Sequence, residues 1–241
     1  MDNLKEDRED VKLLTYWFSP YGMRVMIGLE EKGISYEYVE DDLRPGNKSP
    51  MLLQMNPIHK KVPVLIHNGS PISESLIVLQ YIDNVWNSPH NAFLPSHPYD
   101  RAIALFWTDF VDQKVCTPVN QIVKTKGEIQ EAAKCDFLQN LAILEGELKG
   151  KKYFGGDRFG LVDIAFVPFT SWFDAVESLG RLKIDLEEKF PNIWAWKKRC
   201  LERESVKKTL LPPEKVLVVA SELRKAKLGE TCNFNLIKKI I

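Results

Sequence analysis

The sequence predicts an α/β domain with the order β-α-β-α-β-β-α, followed by an all-helical domain. Over the first ~90 residues, short runs rich in β-branched and aromatic residues alternate with segments whose apolar residues recur at helical spacing. Residues 87–98 are rich in Pro, Asn, Ser and His, which is typical of a linker. After this linker the strand signals disappear and long amphipathic segments follow. These three observations together predict the order of the two domains.

The first two predicted strands flank a helix whose start and end are marked in the sequence. Residues 11–17 are β-branched and aromatic, and they predict the first strand. Ser19 is a suitable N-cap and Pro20 is favoured at the first helical position, so a helix is predicted to begin there. Gly33 is predicted to end that helix as its C-cap. Residues 35–40 alternate in polarity and predict the second strand.

The remaining elements complete the sheet and end in a helix. Residues 50–55 predict a short helix, and residues 62–67 predict a third strand. A hairpin turn then leads to a short fourth strand at residues 71–72. Ser73 is predicted to cap the last helix, in which apolar residues recur with a strong helical period over residues 77–86.

These elements set the predicted domain limits. They are a mobile N-terminal extension over 1–10, an α/β domain over 11–87, a linker over 88–98, a helical domain over 99–228 and a tail over 229–241. Amphipathic segments predict five helices in the second domain, at 99–123, 127–148, 162–179, 188–203 and 214–227.

Composition and charge exclude several classes of protein. Among the 241 residues, 33 Lys and Arg balance 33 Asp and Glu, so net charge gives no overall affinity for nucleic acid or anionic membranes. The N-terminus is acidic without an apolar core, and no apolar run reaches the ~18 residues of a spanning helix. We therefore expect a cytoplasmic protein with neither membrane nor nucleic-acid partners. Widely spaced cysteines predict free thiols rather than a disulfide framework or a metal site: Cys116, Cys135, Cys200 and Cys232.

Two of four candidate features involve the ends of the first and third strands. A Ser19 hydroxyl at a helix N-terminus could stabilise an anion such as a thiolate, or it could be a plain N-cap. No G-x-S-x-G motif surrounds Ser19, which argues against a hydrolase nucleophile. A Val62–Pro63 bond at a strand start could expose backbone groups to a bound peptide, or Pro63 could be an ordinary trans proline.

The other two features are polar clusters. Ser73, Glu74 and Ser75 open a helix and could bind the zwitterionic head of an amino acid, or they could serve only as caps. The lysines at 48, 60 and 61 could hold a carboxylate, or they could be solvated surface residues. A ligand with an amino-acid head, a central thiol-bearing peptide and a terminal carboxylate would use all four features.

The motifs in this order resemble the tau class of plant glutathione transferases. The stretches that carry the resemblance are LLTYWFSPYGMRV, NKSPMLLQMNPIHKKVPVLIHNG, ISESLIVLQYID and FGLVDIAF, and it extends over about residues 11–228. The resemblance implies a thioredoxin-like N-terminal domain and an all-helical C-terminal domain. It also implies an enzyme that adds the glutathione thiolate to hydrophobic electrophiles, as in detoxification of xenobiotics or stress metabolites.

The resemblance assigns roles to residues at the ends of the predicted elements. Ser19 matches the catalytic serine, whose hydroxyl donates to the glutathione sulfur, and Pro63 matches a cis proline. The implied glutathione-binding residues are Ser19, Lys48, Lys61, Val62, Glu74 and Ser75. Val62 would pair with the cysteinyl backbone, the residues at 74 and 75 with the γ-glutamyl head, and the two lysines with the glycyl carboxylate. The candidate electrophile contacts are Tyr21, Phe110, Lys114 and Trp172.

Further expectations follow from the same resemblance. Glutathione is a co-substrate, so no cofactor or metal is expected. Reduction of hydroperoxides is a possible second activity, and a ligandin-type carrier of hydrophobic metabolites is the alternative function. Thiol transfer through a mixed disulfide is disfavoured because Ser19 stands where redox relatives carry Cys. A homodimer is expected, with the helix at 74–86 and the first helix of the second domain near its interface.

Three departures from the family pattern stand out in the sequence. Gly160 occupies a helix start where relatives place Ser or Thr in a capping box with Asp163. Residues 44–46 are a slight expansion before Lys48. The tail beyond Gly229 exceeds the usual family end, and no role is assigned to it.

Overall fold

The computed structural model describes residues 9–42 and 47–232. Most of the predicted extension at 1–10, the expansion at 44–46 and the last part of the tail at 233–241 lie outside these described residues. The contacts divide the chain into two compact units between Asn91 and Ala92. The domain limits predicted from sequence stay predictions, and each unit is described here by itself.

The first unit contains a four-stranded mixed sheet in the order β2-β1-β3-β4. The strands are β1 Val11–Thr15, β2 Glu37–Glu40, β3 Val64–His67 and β4 Ser70–Ser73. Strand β1 runs parallel to β2 and antiparallel to β3, which in turn runs antiparallel to β4. The predicted order of elements is therefore the observed order.

Three helices belong to this unit: α1 Pro20–Lys32, α2 Pro50–Met55 and α3 Ser75–Val85. Strand residues alternate between the two faces of the sheet, and in the central strands β1 and β3 both faces are largely buried. Leu14, Val64 and Ile66 pack with Leu52 of α2, while Leu13 and its neighbour Leu65 on β3 are also fully buried.

One predicted cap in this unit is wrong. Ser73 does not cap α3, because it is the last residue of β4. The N-cap position is Glu74, whose φ of 69° lies in the left-handed region, and no side chain caps the helix. The change of direction between β4 and α3 is made at Glu74, so the hydroxyl of the preceding serine is not in the capping position.

The second unit has helices as its regular elements among the described residues, and an isolated β-bridge joins Tyr153 and Gly156. Its helices are α4 Pro98–Val111, α5 Thr117–Lys124, α6 Glu128–Glu147, α7 Leu161–Thr170, α8 Phe173–Gly180, α9 Leu186–Lys189, α10 Pro191–Leu201, α11 Glu204–Thr209 and α12 Pro213–Lys227. No helix among the described residues is long and apolar enough to cross a membrane. All four cysteines are free thiols, as predicted.

Three of the five helices predicted for this unit are interrupted or extended. The helix predicted at 99–123 contains a π-helical turn at Asp112–Cys116. Pro118 has no N–H to donate to the Lys114 carbonyl one turn earlier, and that carbonyl instead accepts from Asn140 Nδ2 at 2.9 Å. The local path of the helix is thus set by the proline.

Side-chain hydroxyls and a proline explain the other differences. The helix predicted at 162–179 breaks after Thr170, where the hydroxyls of Thr170 and Ser171 bond to the carbonyls three residues earlier and compete with helical bonding. The helix predicted at 188–203 is split at Phe190, because the residue before a proline is disfavoured in the helical region. Helix α11 follows it as a separate short helix.

Candidate functional site

Three chain connections meet at one end of the sheet. Leu14 pairs with Val64, and Val64 pairs with Ser73, so the carboxyl ends of β1 and β4 lie beside the start of β3. The residues that follow β1, precede β3 and follow β4 therefore share this end. Ser19, Val62 and Glu74 are those residues, so these three predicted glutathione contacts lie at the same end of the sheet.

Ser19 is held firmly at the start of α1. It is buried, its backbone N–H donates to the Tyr16 carbonyl at 2.8 Å, and its Oγ accepts from the Gly22 N–H at 3.2 Å. A Cβ on Gly22 would overlap Thr15 Oγ1, so a glycine is required where α1 approaches β1. The serine hydroxyl is consequently fixed at the positive end of a helix of 13 residues.

Helix α2 provides an internal comparison, because it also begins with Ser followed by Pro. Ser49 Oγ accepts from the Leu52 N–H at 3.0 Å and donates its own proton to Asp41 Oδ2 at 2.8 Å. Ser19 makes the same capping bond, but no acceptor for its proton is found among the described residues. The two serines therefore differ in one respect: the proton of Ser19 remains available to a ligand.

The start of β3 lies in the middle of this end of the sheet. The Val62–Pro63 peptide bond is cis. Val62 precedes the residues of β3 that pair with β1 and β4, which are Val64–His67. Its position fits the predicted pairing with an extended peptide.

The start of α3, which follows β4, is the third connection at this end of the sheet. Ser75 is buried, and its Oγ accepts from the Arg24 guanidinium of α1 at 3.2 Å. Glu74 is half exposed, and one carboxylate oxygen lies 2.5 Å from His59 Nδ1. The arrangement places a hydroxyl, a carboxylate and a helix start at one point, which suits an amino-acid head group.

The two predicted lysines are only partly engaged. Lys48 Nζ donates to the Lys60 carbonyl at 2.8 Å, which ties the start of α2 to the loop before β3. An ammonium has three N–H donors, so two remain for a ligand. Lys61 is exposed, and its carbonyl accepts from Asn56 Nδ2 at 2.9 Å. The ammonium of Lys48 is thus held by the loop before β3, whereas this hydrogen bond of Lys61 involves its backbone alone.

The four candidate electrophile contacts have different surroundings. Tyr21 follows Ser19 on α1, with the Arg24 guanidinium 5.1 Å from its ring centre. Phe110 is half-buried on α4, with its ring 5.4 Å from that of Trp107, and Lys114 is exposed in the π-helical turn. Trp172 is buried at the start of α8, and its indole N–H has no partner within the described chain.

Sequence reasoning missed three residues that build this site. Arg24 is completely buried and donates a hydrogen bond to Ser75 Oγ, although it belongs to none of the four candidate features of the sequence. The sequence signal for its burial is the spacing of three residues from Ile27, which places Arg24 on the apolar face of α1. Asn56 and His59 lie between the helix predicted at 50–55 and the strand predicted at 62–67, and nothing local indicates that His59 reaches Glu74 across 15 residues.

Comparison with known proteins decides the family. The family model for the glutathione S-transferase N-terminal domain matches residues 9–84 of this chain. The family model for the C-terminal domain matches residues 100–204. The chain belongs to the glutathione transferase family. This transferase is 56% identical over 216 residues to glutathione S-transferase U19 of Arabidopsis thaliana, covering 90% of this chain and 96% of that relative.

Solved structures agree on the class. The rice transferase GSTU1, solved in complex with glutathione, has a TM-score of 0.84 at 42% identity, covering 91% of this transferase and 98% of the rice chain. The tau-class transferase from mango has a TM-score of 0.81 at 43% identity, covering 89% and 98%. The predicted tau class, the two-domain fold and the transferase activity are all confirmed.

Proposed function

We propose that this transferase adds the glutathione thiolate to hydrophobic electrophiles, with Ser19 as the catalytic residue. The observation that carries the proposal is the free proton of Ser19. Its oxygen already accepts the Gly22 N–H, so the hydroxyl is oriented to donate outward to sulfur. The serine would stabilise an anion without forming a covalent bond.

The magnitudes are sufficient for this role. A free thiol has a pKa near 8.5, so only a few per cent is ionised at neutral pH. Lowering that pKa by about two requires roughly 2.7 kcal/mol of preference for the thiolate. One hydrogen bond to a charged group supplies ~1.5 to 3 kcal/mol, and a helix N-terminus adds up to about 1. No separate base is needed, and we propose that no metal or cofactor takes part.

The order of strands suits the length of glutathione. Neighbouring strands are ~4.8 Å apart, so β1 and β4 are separated by about 10 Å, which an extended tripeptide spans. With the cysteinyl unit on Val62 beside β3, the thiol would face Ser19 after β1 and the γ-glutamyl head would face Glu74 and Ser75 after β4. Lys48 and Lys61 remain our proposed contacts of the glycyl carboxylate.

The electrophile contacts stay proposals. Within the second unit, Trp172 offers a buried indole N–H without a partner in the described chain. Leaving such a donor unpaired costs about 1 to 3 kcal/mol, and a nitro or carbonyl acceptor on the electrophile would bond to it once the side chains that enclose it move aside. Phe110 and Lys114 in the same unit, and Tyr21 next to Ser19, are the other proposed contacts.

Substitution of Ser19 by Ala tests the proposal directly. At pH 6.5 the kcat/KM for glutathione and a chlorodinitrobenzene should fall by about 10- to 100-fold, because one hydrogen bond to the thiolate is lost. The loss should shrink as the pH rises past the thiol's own pKa of about 8.5, where the thiolate forms without help. Full activity of Ser19→Ala at pH 6.5 would refute the role.

Ser49→Ala is the matched control. It removes the same capping bond before a proline, but its hydroxyl proton already belongs to Asp41. Stability should fall by about 1 kcal/mol, as for loss of any serine cap, while the pH profile of kcat/KM stays unchanged. A shift of that profile in Ser49→Ala would mean that helix capping alone produces the effect.

The same thiolate could attack a peroxide oxygen, so we propose hydroperoxide reduction as a second activity, measured with an organic hydroperoxide. Tight binding of hydrophobic metabolites with negligible turnover across an electrophile panel would instead favour the ligandin-type carrier. We also propose that the enzyme is a cytoplasmic homodimer without nucleic-acid or membrane partners.

A further inference from the structure

We propose that His59 is a positioning residue that holds the Glu74 carboxylate ready for the ammonium group of glutathione. The inference rests on the proposed function and assigns a role to a residue outside the set predicted from sequence. It starts from one contact, in which His59 Nδ1 lies 2.5 Å from Glu74 Oε1. Both side chains are about half exposed, at 53% and 50%.

The side chain of Glu74 makes no capping hydrogen bond to its own helix, α3. Glu74 occupies the N-cap position of α3, yet no side chain makes a capping bond there. Its φ of 69° is uncommon for a residue with a Cβ, and it turns the chain between β4 and α3. Among the described residues, His59 is the residue whose side chain contacts this carboxylate. The carboxylate is therefore available to a ligand except for the oxygen that His59 contacts.

The chemistry of the contact fixes which atom carries the proton. An ionised carboxylate only accepts hydrogen bonds, so Nδ1 must be the protonated nitrogen. A donor on Oε1 leaves Oε2 free for the ammonium of the γ-glutamyl head. A half-exposed glutamate without such a partner samples several rotamers, and binding would have to order it. His59 does this ordering in advance.

His59 is itself held in place by a short network. Asn56, which is buried, accepts the backbone N–H of His59 on its Oδ1 at 3.2 Å and donates from Nδ2 to the Lys61 carbonyl at 2.9 Å. Lys48 Nζ bonds to the Lys60 carbonyl at 2.8 Å on the other side of the loop. These bonds hold the backbone on both sides of His59, and its ring contacts Glu74 from that position.

The test uses substitutions that keep or remove the donor. His59→Leu should raise the KM and the calorimetric Kd for glutathione about three- to tenfold, the factor expected for one side chain that must be ordered on binding, with kcat unchanged. His59→Asn should restore most of the affinity, because its amide can place an N–H near the position of Nδ1. His59→Gln places its amide one carbon farther out and should restore less.

A second substrate separates positioning from a general structural effect. In the glutathione analogue whose γ-glutamyl ammonium is replaced by hydrogen, Glu74 has no cation to bind, so His59→Leu should leave KM and Kd unchanged. His97→Leu is the matched control, because His97 also faces a carboxylate, Asp100 at 3.6 Å, at the start of α4 in the second unit. Its KM for glutathione should equal that of the unmodified enzyme.

The outcomes separate the two proposals. Equal affinity of His59→Leu and the unmodified enzyme for glutathione would overturn the role of His59 while leaving conjugation intact. If His59→Leu lost the same factor in affinity for glutathione and for the analogue, the role of His59 would also be overturned, because that result points to a disturbed loop. Absence of conjugation by the unmodified enzyme would instead reject the proposed function, and Kd values would still test His59.

Discussion

Asp163 is a buried carboxylate that serves three donors at once. It is inaccessible to solvent, and its oxygens accept from the Gly160 N–H at 2.9 Å, the Phe154 N–H at 3.1 Å and the Trp196 indole N–H at 2.7 Å. Burial raises the pKa of Asp163 to about 6, and these hydrogen bonds oppose the rise. One side chain thereby joins the start of α7, the segment before it and α10.

The raised pKa predicts a pH dependence of stability. A carboxyl with a pKa of about 6 in the folded chain and 3.8 in the unfolded chain binds protons more tightly when folded. Its contribution is therefore favourable at low pH and is lost as the pH rises through 6. Between pH 4 and pH 7.5 the free energy of unfolding should fall by about 2 kcal/mol on its account, relative to Asp163→Asn.

Denaturant titration of both proteins at several pH values measures this difference. Asp157→Asn is the control for removing a carboxylate from the surface, where Asp157 pairs with Lys152, and it should change the free energy of unfolding by less than about 1 kcal/mol. A difference between the unmodified enzyme and Asp163→Asn that stays constant from pH 4 to pH 7.5 would show that burial does not govern this carboxyl.

Sequence could predict residues whose signal is local, and it missed those whose partners are distant. Ser19 was predicted as an N-cap because Ser-Pro is a short-range pattern, and Ser19 is the N-cap. The roles of His59 and Arg24 depend on contacts with Glu74 and Ser75 that only the folded sheet creates. Propensity also misplaced the cap of α3, because it does not report a left-handed residue such as Glu74.

At the scale of elements, helix limits were predictable where caps are local. The short helix predicted at 50–55 is Pro50–Met55, and the one predicted to end at Gly33 ends there. Breaks inside long amphipathic segments were missed, because Pro118, Pro191 and the hydroxyls of Thr170 and Ser171 lie within otherwise helical periods. Periodicity reports which face is apolar, whereas the hydrogen bonds that a proline omits decide where the helix changes.

Gly160 at the start of α7 has a steric cause that sequence does not show. A Cβ at this position would lie 2.8 Å from the Phe93 carbonyl oxygen, which also accepts the Leu161 N–H at 3.0 Å. Asp163 still supplies one half of a capping box by accepting the Gly160 N–H. A serine would complete the box, but only by displacing a backbone carbonyl.

These two effects oppose each other in Gly160→Ser. The new cap offers a few tenths of a kcal/mol over glycine, whereas overpacking against a backbone atom costs about 1 to 3. We expect net destabilisation of about 1 to 2 kcal/mol, measured as the free energy of unfolding. Gly146→Ala in α6 is the control: a Cβ there meets no atom within 4 Å, so it should stabilise by about 0.5 to 1 kcal/mol. An equal gain from both substitutions would refute the steric explanation.

At the scale of the whole molecule, each of the two helices that the family resemblance places near a dimer interface exposes apolar side chains. Helix α4 exposes Tyr99, Ile103 and Phe106, spaced four and three residues apart on one face. Helix α3 exposes Ile77 and Val85. A row of exposed apolar side chains on one helix face, as on α4, marks a protein interface more often than it marks free surface.

The homodimer proposal is tested by placing a charge within this apolar face. Phe106 is 57% exposed, and Phe106→Glu should convert the dimer to a monomer, because an interface would have to bury an unpaired carboxylate at a cost of several kcal/mol. Sedimentation velocity measures the mass. Ile143→Glu on α6, which changes an isoleucine 47% exposed outside these two helices, should leave the dimer intact. A monomeric unmodified enzyme, or a Phe106→Glu variant that sediments as a dimer, would show that this face of α4 serves another purpose.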